Sequence, residues 1–267
     1  MYFVLDFVRR KLAEREPFPE GWRAILERRV PFYPRLDQAE RERFESKLKV
    51  FARTKSFEGA GGFVVTEEAR VVVSACAARL VMNLPGEHYG RLHEIVVYPS
   101  HYKHKDQDGI ILGEAFGPGV VVLSYAAVLA GLRSPHDGHD TAVHEFAHAL
   151  DGADGAFDGT PELHSLDAYA PWATAMSRAF TSLQSRVGRN GRRVLRDYGA
   201  TNEAEFFAVA TEAFFERPVD LRRDKPAVYA ALAAFYRFDP AGPRPQRAGG
   251  QGETAGARHV EKGRSRA

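Results

Sequence analysis

"TAVHEFAHALDG", residues 141–152, is the stretch on which the reading of the whole chain turns. Val143, Phe146, Ala147 and Leu150 recur at helical spacing, and His144, Glu145 and His148 stand in the same turns. Residues four apart share one face of a helix. His144 and His148 can therefore aim imidazole nitrogens at one cation, while Glu145 points about 100° round the axis. Two imidazoles and a carboxylate in an otherwise apolar helix are costly to bury without a partner, which argues against a plain core helix. The segment has its own boundaries. Ser134 with Pro135, and Asp137 or Asp140, offer N-terminal caps, and Gly152 offers a C-terminal stop. The pattern H-E-x-x-H on a helix suits hydrolysis: zinc acidifies a bound water, and the glutamate takes its proton as the water attacks a carbonyl carbon.

Catalytic zinc usually takes three protein ligands and leaves a fourth position to water, so two histidines are too few. Cys76 is the single cysteine of the chain, which removes both an internal disulfide and a thiolate site and leaves His, Asp and Glu as donors. Asp151 lies seven residues after His144 on nearly the same face, but on the same helix, where it could instead orient a histidine from outside the coordination sphere. His164 falls in the following loop, sixteen residues after His148, a spacing that fits no zinc-protease pattern. Glu203, Glu205 and Glu212 belong to "NEAEFFAVATEAFFE" (202–216), a second helix by its periodicity. Glu205 and Glu212 share a face, but Asn202 and Glu205 also have the spacing of a capping box. Glu212, set among Phe and Ala, could bond the outer nitrogens of the histidines or a backbone group. Spacing does not choose among these carboxylates.

Composition excludes several classes. The chain has 267 residues, 44% of them hydrophobic and 11% aromatic, enough for a sizeable core. Its 37 basic and 35 acidic residues give a net charge of +2, so nothing calls for nucleic acid or an anionic membrane as partner. "MYFVLDFVRRKLAERE" (1–16) has its arginines after its short apolar run, the reverse of a secretory signal. No apolar run reaches about 18 residues, so no membrane span is expected. A cytoplasmic location is the expectation.

Helical spacing runs through "PEGWRAILERRVPFY" (19–33) and "LDQAERERFESKLKVFARTKSF" (36–57), the second starting at Asp37 or Gln38. "GGFVVTEEARVVVSACAARLVMNLPGE" (61–87) reads as a helix capped by Thr66, stopped by Pro85 and Gly86, and apolar nearly all round, hence central. "HEIVVYPSHY" (93–102) and "GIILGEAFGPGVVVLSYAAVL" (109–129) read as strands, with "FGPG" (116–119) a turn between two of them. "GADGAFDGTPEL" (152–163) is loop by composition. Helices are expected over 170–187, over 202–218 with Pro218 as its end, and over 225–238. The Gly-, Pro- and Arg-rich residues 241–267 cannot offset their ordering entropy by burial and are expected to be disordered. Helices, then a few strands, then helices argue for an α+β fold.

"HEFAHALD" (144–151), "GTP" (159–161), "DYGATNEAEFFAVATEAFFERP" (197–218) and "GPGVVVLSY" (117–125), with "LHEIVVYPSHY" and "FPEGWRAIL", resemble the Mlc titration factor A family of zinc metallopeptidases. The catalytic domain of that family is similar to that of anthrax lethal factor. The resemblance covers about residues 18–240 and implies a zincin-like fold, mostly helical, with a small mixed sheet and an H-E-x-x-H active-site helix. It implies one peptidase domain over 1–240, with a helical part about 18–90 and a catalytic part about 91–240. Position by position it makes His144, His148 and Glu205 the ligands of one zinc ion, the gluzincin arrangement, and Glu145 the general base. It gives Tyr198, seven residues before Glu205, an oxyanion-stabilising role. It casts "GVVVLSY" (119–125) as an edge strand pairing with an extended substrate, although the weak alternation there also fits a core strand. A peptide or protein substrate is implied, with aminopeptidase activity included. An alternative by the same analogy is a regulatory protein that sequesters a transcriptional repressor, its zinc mainly structural.

Overall fold

Caps and breaks written in the sequence set most of the element boundaries. The computed structural model describes residues 2–100, 113–116, 119–189 and 193–242. Helix α1 (Tyr2–Arg15) precedes α2 (Glu20–Arg29), α3 (Gln38–Thr54) and α4 (Glu67–Val81). Asp37 closes a capping box with Glu40: its side chain accepts from the Glu40 amide at 2.8 Å, and Glu40 accepts from the Asp37 amide at 3.0 Å. Thr66 caps α4 by accepting from the Ala69 amide at 3.1 Å. α4 is central as expected, with Val72, Val73, Ala75 and Ala77 at 0% exposure while α2, α3 and α6 (Thr141–Asp151) pack around it. It ends at Val81, ahead of Pro85.

The sheet is small and mixed. Strands β1 (Ser56–Gly59), β2 (Glu94–Tyr98), β3 (Gly113–Phe116) and β4 (Val120–Ser124) lie in the order β1-β2-β4-β3. The first three in that order are parallel, and β3 runs antiparallel to β4. Ile95 faces Val121 and Val97 faces Leu123 across the β2–β4 ladder, and all four are buried. β4 is therefore a core strand with neighbours on both sides, not an edge. The outer positions among the described strands belong to β1 and β3.

Three local readings change. The helix expected through Phe57 stops at Thr54, and Ser56 begins β1 because its amide pairs with His93 O at 2.9 Å. The strand expected through Leu129 ends at Ser124, whose hydroxyl accepts from the Ala127 amide and starts α5 (Tyr125–Arg133). Pro218 does not merely end a helix. It opens α9 (Pro218–Asp224), where a missing N–H is harmless. α7 (Tyr169–Gln184), α8 (Glu203–Glu216) and α10 (Pro226–Tyr236) fall where periodicity puts them. Gly117 and Pro118 of the expected turn lie outside the described residues, as does the tail beyond Gly242.

One apolar cluster joins the sheet to α4, α6, α8 and α10, and a second gathers α2 and α3 around Trp22, Tyr33 and Phe44. Phe146, at 0% exposure, meets Phe51 and Tyr89 edge-on at 5.6 and 5.8 Å. Burial of one such ring contributes about 1.5–3 kcal/mol, and it fixes the rotation of α6 about its own axis. Among the described residues no helix is long and apolar enough to cross a membrane.

Candidate metal centre

With Val143, Phe146, Ala147 and Leu150 turned into the core, His144 and His148 are left on the face of α6 that meets α8. Asp140 caps α6 by accepting from the Val143 amide at 3.1 Å, and Gly152 follows its last turn. Opposite, Asn202 caps α8 by accepting from the Glu205 amide at 2.8 Å. The reciprocal half of a capping box is absent, because the Glu205 carboxylate is turned to the histidines instead.

The loop between α6 and α7 holds the two helices in register. Asp151, fully buried, accepts from the Gly159 amide at 3.0 Å, and the Gly159 carbonyl accepts from Trp172 Nε1 at 3.2 Å. Gly159 has φ +78°, and a Cβ there would meet the carbonyl oxygen of Glu203 at 2.4 Å. Only glycine lets this loop lie against the first turn of α8, two residues from Glu205.

His144 Nε2, His148 Nε2 and a Glu205 oxygen converge. The two nitrogens are 3.2 Å apart, and Glu205 Oε2 lies 3.0 Å from the first and 3.4 Å from the second. These three residues form a group that could hold a metal ion, their ligand atoms all within 4.8 Å of one another. Burial disfavours charge on both partners, but their mutual hydrogen bonding overrides it. His144 is pushed up to about 10 by hydrogen bonds to Glu205 and Glu212, and the Glu205 carboxyl is held well below the usual carboxylate range by His144 and His148.

The other carboxylates separate cleanly. Glu212, at 0% exposure, accepts from His144 Nδ1 at 2.8 Å and from the Asp140 amide at 2.8 Å, and Arg196 donates to it as well. It grips the outer nitrogen of His144 while Glu205 meets the inner one. Asp151 serves the Gly159 loop and lies outside the convergent group, and burial raises its pKa to about 6. Glu203 is exposed. His164 bonds the Phe235 carbonyl at 2.7 Å and stacks on that ring, away from the centre.

Glu145 is 5% exposed, and its charge bears on both His144 and Tyr198. Tyr198, in the short turn Asp197–Ala200 before α8, has its ring centroid 5.9 Å from that of His144 and is 52% exposed. Partial burial first, and then the Glu205 carboxylate, push its hydroxyl up to about 12. Arg196 carried no sequence signal beyond its nearness to Tyr198, since it belongs to no periodic segment.

The glucose-regulated metallo-peptidase M90 family has a model that matches residues 5–237. An uncharacterized protein of Synechocystis, slr2042, is 35% identical over 248 residues, covering 88% of this chain and 90% of the relative. Mlc titration factor A of Yersinia pestis and that of Yersinia pseudotuberculosis are each 28% identical over 225 residues, covering 79% of this chain and 82% of theirs.

Proposed function

Because the chain belongs to the glucose-regulated metallo-peptidase M90 family, we propose that it is a zinc-dependent peptidase of zincin-like fold, with His144, His148 and Glu205 as ligands of one zinc ion. The observation that carries this reading is the size of the ligand triangle. A tetrahedral zinc with ligands at about 2.0–2.1 Å has ligand-to-ligand edges of about 3.3–3.4 Å. The three atoms stand 3.2, 3.0 and 3.4 Å apart, so they fit the ion with only small shifts. The donor set, two imidazoles and one carboxylate, also suits zinc.

Zinc bound there supplies a Lewis acid that polarises a peptide carbonyl and makes a ligand water more acidic. Glu145 would act as the general base, taking one proton from the attacking water as its oxygen bonds to the carbonyl carbon and delivering it to the amide nitrogen as the C–N bond breaks. Tyr198, still protonated at neutral pH, donates its hydroxyl to the carbonyl oxygen as negative charge grows on it. With zinc bound, Glu212, itself held by Arg196, would accept the His144 Nδ1–H and leave Nε2 for the ion. β3, the strand at the sheet margin beside α6, is the edge on which an extended peptide would lie. The enzyme acts on peptides or proteins in the cytoplasm, aminopeptidase activity included, from one domain over residues 1–240.

Glu145→Gln keeps the shape of the side chain but removes its charge and with it the base. The variant is expected to bind zinc as the parent does while losing at least about 10²–10⁴-fold in peptide hydrolysis. Full activity in that variant would overturn the mechanism. A second reading rests on the Yersinia relatives named Mlc titration factor A: a protein that binds a transcriptional repressor, with zinc mainly structural. Chelation separates the two, since it stops hydrolysis under the first reading and only lowers the melting temperature under the second.

A further inference from the structure

The end of α8 away from Glu205 borders a cavity of about 740 Å3. Its walls include Phe32, Met82, Leu132, Phe215 and Phe238, and His144, Glu145, His148 and Glu205 take no part in it. Its size is that of sites for small organic ligands, about 300–1,000 Å3, and its wall mixes these apolar side chains with charged ones.

Glu216, the last residue of α8, is the polar group that stands out in this wall. It is 2% exposed. Its Oε2 accepts from the Gly138 and His139 amides at 2.8 and 2.9 Å, while its Oε1 has no hydrogen-bond partner among the described residues. A buried carboxylate oxygen left without a donor is costly. The wall holds five carboxyl groups and three guanidiniums, a formal excess of acid. Two of its cations already have partners in the same wall: Arg217 pairs with Asp220 at 2.8 Å, and Arg79 donates to the Phe215 carbonyl at 3.0 Å while lying over the rings of Phe32 and Phe215.

We propose that this cavity binds a small organic cation, an amine on an apolar body, whose N–H donates to Glu216 Oε1 while the aromatic and aliphatic walls hold the body. Burial first, and then the nearby Asp140 charge, push the Glu216 carboxyl up to about 8, with Arg79 opposing in part. A cation beside Oε1 counters both effects. The occupant also bears on α6, because Glu216 holds the two amides directly before its Asp140 cap. The site stands apart from the metal centre and does not depend on the peptidase reading.

The test is calorimetric titration of the full chain with 2-phenylethylammonium chloride and with neutral 2-phenylethanol, together with amide hydrogen exchange over residues 136–143. Saturable binding of the cation is expected, weaker by at least about tenfold for the alcohol, with slowed exchange at Gly138 and His139. Glu216→Gln should weaken cation binding by a similar factor. Val219→Trp supplies a second variant that leaves Glu216 intact, because Val219 lines the cavity and is 59% exposed; it should block the mouth and lose binding at an unchanged melting temperature. No saturable binding overturns the proposal, as does equal affinity for the alcohol or undiminished binding by both variants.

Discussion

Glu205 and Glu216 occupy opposite ends of α8, and the helix treats the same side chain in opposite ways. At the first end the carboxylate faces two imidazoles, and its pKa is held well below the ordinary range. At the last end it meets two backbone amides through one oxygen and, among the described residues, no donor through the other, and its pKa is pushed up to about 8. Both are largely withdrawn from water, so burial alone does not decide the charge. Partners do, helped by the helix itself, whose N-terminus favours an anion and whose C-terminus disfavours one. Glu212, between them, is fully buried yet bonded on both oxygens to His144, Arg196 and the Asp140 amide.

Substitutions along this one helix can break the comparison. The largest effect is expected for Glu205→Ala, which removes one of the proposed ligand atoms: zinc affinity, measured by competition with a chelator, should fall by more than about 100-fold. Glu212→Gln leaves the ligands in place but loosens His144, so a fall of about 10–100-fold is expected in the same assay. If the order of these two were reversed, Glu212 would be the ligand. At the other end, Glu216→Gln should act on stability and not on zinc. The Glu216 folded pKa is raised from 4.5 to about 8, so its contribution to stability is fully present below pH 4.5 and is lost as pH rises through 8. At about 1.4 kcal/mol per unit, the parent loses up to a few kcal/mol across that window relative to the variant. Urea unfolding at pH 4.5 and pH 8.5 measures it, and parallel pH profiles for the two proteins would contradict the assignment. Glu203→Ala, exposed and outside both clusters, should change stability by less than about 0.5 kcal/mol and leave zinc affinity as it was.

The motif helix was legible because its information is local. Residues 144 and 148 declare a face with Glu145 beside it, and the candidate caps Asp137 and Asp140 with Gly152 bracket the ends. The partner helix was legible as a helix, but its glutamates were not separable. Glu205 and Glu212 share a face, and both reach His144, one at Nε2 and the other at Nδ1. That distinction depends on a helix crossing, which spacing does not encode. Asp151 has the spacing of a ligand, but the Gly159 amide claims its carboxylate. The strand errors have a similar origin. Residues 125–129 look like a continuation of "GVVVLS" because their Val and Leu fit a strand as well as a helix, and the Ser124 hydroxyl on the Ala127 amide marks the change. β1 is four residues long and paired to a strand almost forty residues on, so its register is a non-local fact. The placement of β4 inside the sheet likewise follows from the β3 hairpin, not from the alternation of β4 itself.

X-ray absorption at the zinc edge, on the purified chain and on Glu205→Ala, tests the central claim most directly. The account predicts one zinc per chain with two imidazole nitrogens and oxygen donors at about 2.0–2.1 Å, and loss of the ion from a still-folded Glu205→Ala. A chain that takes up no zinc, or a Glu205→Ala variant whose zinc and ligand shell match those of the parent, would contradict it.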